Sequence, residues 1–133
     1  MAWMLKWEGP GGGGVKSNTV TIIVVSKIVT ERIKVGRIYL SASKTRVIVG
    51  EDVYFRVKVA LERAIPRDAK EVENYAYGIY VNDRYQRTVT VTPPKGEGVF
   101  DSSFTLTFRH TGRYDVYVIG NDYVVYKREV HSV

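Results

Sequence analysis

Apolar and polar residues alternate with a period of two through most of this chain, the pattern of strands that bury one face and wet the other. In "EDVYFRVKVALE", Val53, Phe55, Val57, Val59 and Leu61 share one face, and Tyr54, Arg56, Lys58, Ala60 and Glu62 share the other. Tyr75, Tyr77, Ile79 and Val81 alternate in the same way, Asn82-Asp83 marks a tight turn, and "RYQRTVTVT" returns. This predicts a β-hairpin, with Asn tolerating the left-handed conformation. Pro93 and Pro94 have no N–H to give a ladder and stop that strand. Phe104, Leu106 and Phe108 face inward on the next one, opposite Ser103, Thr105 and Thr107. "RYDVYVIG", the turn Gly120-Asn121-Asp122 and "YVVYKREV" predict a closing hairpin, with Tyr114, Val116 and Val118 inward. Between these strands, "RAIPRDAKEVENY" carries Pro66 and a charge cluster, and reads as a long surface loop with room for one short helical turn.

The first third of the chain is different. "TVTIIVV" and "KIVTERIKV" are two further candidate strands, and the first is aggregation-prone unless something covers it. Ahead of them, Trp3, Met4, Leu5 and Trp7 precede a run of glycines at 11–14, whose backbone has too much freedom to hold a shape alone. Residues 1–18 therefore read as an arm. It is either a docking anchor, since aromatic side chains dominate interface energetics, or a disordered chain end. The division expected is 1–18 as arm, 19–36 as extra strands open to exchange with a neighbour, and 37–133 as the main domain.

A chain of 133 residues fits one domain with a core of its own. Twenty-two Val and ten Tyr suit a pleated surface, and no cysteine is present to staple the fold. The class is all-β. Seven to nine short strands with turn signals every 8 to 15 residues indicate an antiparallel β-sandwich, with a barrel as the alternative. The net charge of +6 favours polyanions weakly, but the cations are scattered singly along strands, with no basic tail. "VTIIVVSKIV" is about half the length of a membrane span. No transmembrane segment and no signal peptide are expected.

"VIVGEDVYFRVKV", "GIYVNDRYQRTVTV" and "TLTFRHTGRYDVYVIG" together resemble the immunoglobulin-like β-sandwich domains of prokaryotic surface proteins, adhesins and virions. The matches cover roughly residues 45–119 in order. The resemblance implies a tyrosine corner at Gly112-x-Tyr114-x-Val116, with Val57 and Val116 where the two Ig-type cysteines would stand. It also implies two loop clusters: Gly50-Glu51, Asn82-Asp83 and His110–Gly112 at one end, with 63–74, 93–98 and 119–122 at the other. No single activity attaches to the pattern.

Candidate chemistry is sparse. His110 and His131 lack metal-ligand spacing, and Ser102 and Ser103 lack a nucleophile elbow. Glu51-Asp52 and the acids Asp68, Glu71 and Glu73 lack the ordered spacing of a calcium loop. "GEG" and "GGGG" lack the Lys-Ser/Thr and the helix of a phosphate loop. No enzyme activity, cofactor or metal is expected. The candidate exposed aromatics are Tyr54, Tyr80, Tyr85, Tyr117 and Tyr126, interleaved with Arg56, Arg84, Arg87 and Arg113, and they suit a protein interface, a glycan or a nucleobase. The expected role is a non-catalytic subunit of an extracellular surface or virion assembly, self-associating or joined to other subunits. The residues assigned to that interaction are Trp3, Leu5, Trp7, Ile22, Val24, Tyr80, Tyr85 and Arg87. A carbohydrate-binding accessory domain and a basic nucleic-acid binder are the alternatives.

Overall fold

The computed structural model describes residues 14–130. Trp3, Leu5 and Trp7 lie outside the described residues, as does His131. The described chain forms eight strands in two antiparallel sheets: β1 (Lys27–Ala42), β2 (Asp52–Leu61), β3 (Glu71–Val72), β4 (Tyr75–Val81), β5 (Arg84–Val91), β6 (Val99–Thr107), β7 (Val116–Gly120) and β8 (Tyr123–Val130). One sheet has the order β3-β8-β1-β2-β6 and the other β5-β4-β7. The architecture is an all-β sandwich.

The core follows the alternation. Val53, Phe55, Val57 and Val59 of β2 pack with Tyr75, Tyr77 and Ile79 of β4 and with Phe100 and Phe104 of β6. Phe55 and Phe104 stack with ring centres 4.9 Å apart. The two deeply buried phenols of β4 keep their hydroxyls satisfied, as burial requires. Tyr77 shares a hydrogen bond of 2.8 Å with Ser102, and Tyr75 donates to the Asn121 carbonyl at 2.6 Å. Asn82 and Asp83 both take positive φ, 50° and 64°, which gives the β4–β5 hairpin the turn its twist requires. Tyr114 donates to the carbonyl of His110, four residues upstream, at 2.7 Å. Tyr114, Val116 and Val118 are half-buried.

Four elements differ from the sequence-based expectation. Residues 19–25 form no strand; no described strand pairs with them to complete a ladder. The strand expected at 27–35 does form, but it runs unbroken past Arg37 to Ala42. Its first half pairs with β8 (Lys27↔Val130 to Lys34↔Tyr123) and its second with β2, across a bulge at Gly36. Ile33 is fully buried, so residues 27–36 belong to the domain. The 63–74 segment is pinned, because Ile65 and Ala69 are core residues and β3 pairs with β8.

The fourth difference is the expected closing hairpin, which does not exist. β7 pairs with β4, and β8 pairs with β1 in the opposite sheet. Gly120-Asn121-Asp122 is a corner between sheets. Asn121 N–H donates to the Ala76 carbonyl of one sheet, and Val35 N–H donates to the Asp122 carbonyl from the other, which divides the turn between them. Gly120 is required there, because a Cβ would drive into the Tyr75 hydroxyl and come within 2.8 Å of Ile38 Cδ1.

Candidate functional site

Sending β8 to the far sheet has a geometric result. β7 has a partner on one side only, and β1 beyond Lys34 has β2 on one side and no strand on the other. At the Leu40–Ala42 end of β1 and the Val116 end of β7 lies an open groove of about 1040 Å³, walled largely by the loop residues 44–49 and 110–115. Leu40 of β1, Phe55 of β2, Val116 of β7 and Phe108 line it, with Val47 and Ile48 on one rim. A sandwich normally closes over such residues; here Leu40, Phe108 and Val116 are only half-buried, and Ile48 is 78% exposed.

The groove walls are held in place. On one rim the Glu51 carboxylate takes hydrogen bonds from Lys44 and from the Ile48 N–H. Those bonds, Lys44's first, hold its carboxyl below the usual range. Gly50 N–H reaches across to the Phe108 carbonyl at 2.9 Å. On the other rim the Tyr114 ring packs against Phe108, centres 4.5 Å apart. Asp115 is tied to the β4–β5 turn by two bonds, Asn82 N–H to the Asp115 carbonyl (2.8 Å) and Asp115 N–H to Asn82 Oδ1 (2.9 Å). The loops at 50–51, 82–83 and 110–112 thus meet at one end of the sandwich.

The second component is the segment before β1. Val20, Ile22, Ile23, Val24 and Val25 are 73–83% exposed. Apolar residues of a monomeric domain seldom lie open in such a contiguous run. In an extended chain Val20, Ile22 and Val24 fall on one face, and Thr19, Thr21, Ile23 and Val25 on the other. Ile22 and Val24, singled out from sequence, are therefore available to a partner.

The other singled-out residues divide. Tyr80 and Tyr85 do come together, 5.8 Å apart edge to face, and Tyr80 lies parallel to Tyr117 at 5.2 Å, on the outer face of the three-stranded sheet. Gly78 gives these rings room, since a Cβ there would touch both Tyr80 and Tyr85. Two of the hydroxyls are engaged within the protein: Tyr117 donates to Asp83, which raises its pKa, and Tyr85 pairs with Thr88. Arg87 does not join them. It donates instead to the Thr105 carbonyl of β6 at 3.2 Å, bridging the two sheets. Tyr54 lies on the other sheet, and Arg113 is in the rim loop beside Asp115. Tyr126 is not exposed at all; it is a core residue whose hydroxyl donates to Glu31 at 2.7 Å.

Sequence reasoning missed the groove residues Leu40, Val47 and Ile48. "RVIVG" carries the signal, three consecutive apolar residues ahead of β2 that gain no strand partner. No family model, curated protein or solved structure matches the chain.

Proposed function

We propose that this protein is a non-catalytic structural subunit of an extracellular surface or virion assembly, an immunoglobulin-like sandwich that joins its neighbours by adding residues 19–25 to them as a strand. The observation that carries this reading is the exposed, unpaired apolar run Val20–Val25, attached directly to β1. Burying Val20, Ile22 and Val24 offers on the order of 5 kcal/mol before the cost of ordering the segment. Strand addition supplies main-chain hydrogen bonds as well, with the alternate side chains giving specificity. The Tyr114–His110 corner bond and the crossing of β8 to the opposite sheet support the immunoglobulin-like type.

The test is light scattering after size-exclusion chromatography, on the full chain and on the double variant Ile22→Asp/Val24→Asp. The full chain is expected to run as an oligomer, and the double variant as a monomer with an unchanged thermal midpoint. A full chain that stays monomeric at high micromolar concentration, or a double variant that melts several degrees lower, overturns the reading, the latter because the segment then belongs to its own core.

A further inference from the structure

We infer that the acceptor for residues 19–25 is the groove at the Val116 end of β7 and the Leu40–Ala42 end of β1 in a second copy of this chain, so that each subunit carries one donor and one complementary receptor. The inference rests on the strand-addition reading above and names its partner. Three observations carry it.

The first is complementarity. The groove offers an apolar floor of Leu40, Phe55, Phe108 and Val116 beside the ends of two strand edges, Leu40–Ala42 of β1 and Val116 of β7. The donor offers Val20, Ile22 and Val24 on one face to meet that floor. On its other face, Ile23 and Val25 fall beside a rim that carries the exposed Ile48 and Val49, while Thr19 and Thr21 remain wet.

The second is that the other flank of the sandwich is already closed. β5 and β6 are also edge strands, but Arg87 joins them through the Thr105 carbonyl and Tyr77 joins the sheets through Ser102.

The third is chain length, which excludes the chain's own groove. The free part of the β1 edge begins past Lys34, where β8 stops. Folding back from Lys27, a fully extended segment places Thr19 roughly 28 Å away, whereas Arg37 lies about 33 Å along the strand. On the side of β1 that leads to the groove, residues 20–25 would meet positions that β8 already fills. The donor of one copy therefore enters the groove of another. Because donor and receptor are different surfaces, the contact is heterologous and propagates as a chain or closes as a ring.

The absence of cysteine from the sequence permits a direct test with the full chain. Two variants are mixed under mild oxidation. One carries a single cysteine in the donor, as Val20→Cys, Ile22→Cys or Val24→Cys in turn. The other carries Val116→Cys together with Ile22→Asp/Val24→Asp, so that it can receive but not donate. A covalent heterodimer is expected at one or two donor positions, because a disulfide forms only where the Cβ atoms approach to about 4 Å. A matching receptor with Ser103→Cys, on β6 at the closed flank, is expected to give none. Scattering on the unmodified chain separates the two ways of failing. If it oligomerises but the Val116→Cys receptor gives no heterodimer, or the Ser103→Cys receptor does, the groove is not the acceptor while assembly stands. If it is monomeric, both readings fall. An intramolecular crosslink in a monomer carrying Ile22→Cys and Val116→Cys together overturns donation in trans.

Discussion

The two flanks of this sandwich are built from the same kinds of residue and finished differently. On the β5–β6 side, Arg87 reaches the Thr105 carbonyl and Tyr77 meets Ser102, so two adjacent edge strands from opposite sheets are fastened across the core. On the β7–β1 side no such fastening occurs among the described residues, and apolar side chains of both sheets face an open groove. What separates them is one strand. β8, which follows β7 after two residues, leaves that flank for the far edge of β1. On the proposed reading, the open groove of one subunit and the exposed apolar run before β1 of another are complementary surfaces.

The largest stability effect is expected at the corner that diverts β8. Gly120→Ala places a methyl against the Tyr75 hydroxyl and Ile38, and should lower stability by about 3 kcal/mol, or roughly 10 °C in thermal midpoint by calorimetry. A neutral result would mean that the corner is not forced by close packing and that a β7–β8 hairpin is within reach of the chain.

Next in size is the alkaline limb. Burial, with a contribution from Asp122, pushes the Tyr75 phenol up to about 12. A phenol whose folded pKa is raised stabilises fully below its ordinary value of 10 and loses that contribution as pH rises toward 12. Stability should therefore fall between pH 10 and 12, and Tyr75→Phe should flatten that limb in an unfolding series. An unchanged limb in the variant would remove Tyr75 from the corner's energetics.

A smaller effect tests the fastening itself. Arg87→Gln should cost about 1 kcal/mol by denaturant unfolding and leave assembly intact. Ile48→Ser on the open rim should change monomer stability by less than about 0.5 kcal/mol and weaken assembly. The reverse outcome would exchange the roles assigned to the two flanks.

The smallest effect concerns the pairing that holds β8 on β1. Hydrogen bonds from Tyr126 and then Arg128 hold the Glu31 carboxyl below its ordinary 4.5. A carboxylate lowered in this way contributes above its unfolded value and loses that contribution as pH falls through the folded one. The midpoint should decline below about pH 4.5, with a shallower decline in Glu31→Gln. Equal slopes would show that the Glu31 cluster is not what couples β1 to β8.

Much of the fold was legible because β2 and β4 keep one strictly apolar face, and an alternating face reports its own burial. The 19–25 stretch shows the limit. Its apolar run announces a strand to be covered, but nothing in a single sequence says whether the cover lies in the same chain or in another. The corner shows a second limit. Gly120-Asn121-Asp122 reads as a hairpin turn because turn residues are the same in both cases, and what decides between them is Tyr75, 46 positions before the Asn121 carbonyl that it holds. Tyr126 was misplaced for a related reason. In "YVVYKREV" neither register is clearly more apolar than the other, and the choice falls to Glu31 and Ile33 across the ladder. The groove was legible least, since it is formed by what the strands around it lack.

The length of β1 bears on mechanics. A pull on residues 19–25 enters the domain at Lys27 and passes directly along the 16 residues of β1, whose last residues, Leu40–Ala42, line the groove. The hydrogen bonds to β8 and β2 lie across that direction, so they resist the load together, in shear, rather than opening one after another. A row of such subunits would transmit tension from strand to strand through one continuous segment of each domain, leaving the loops at both ends of the sandwich outside the line of force.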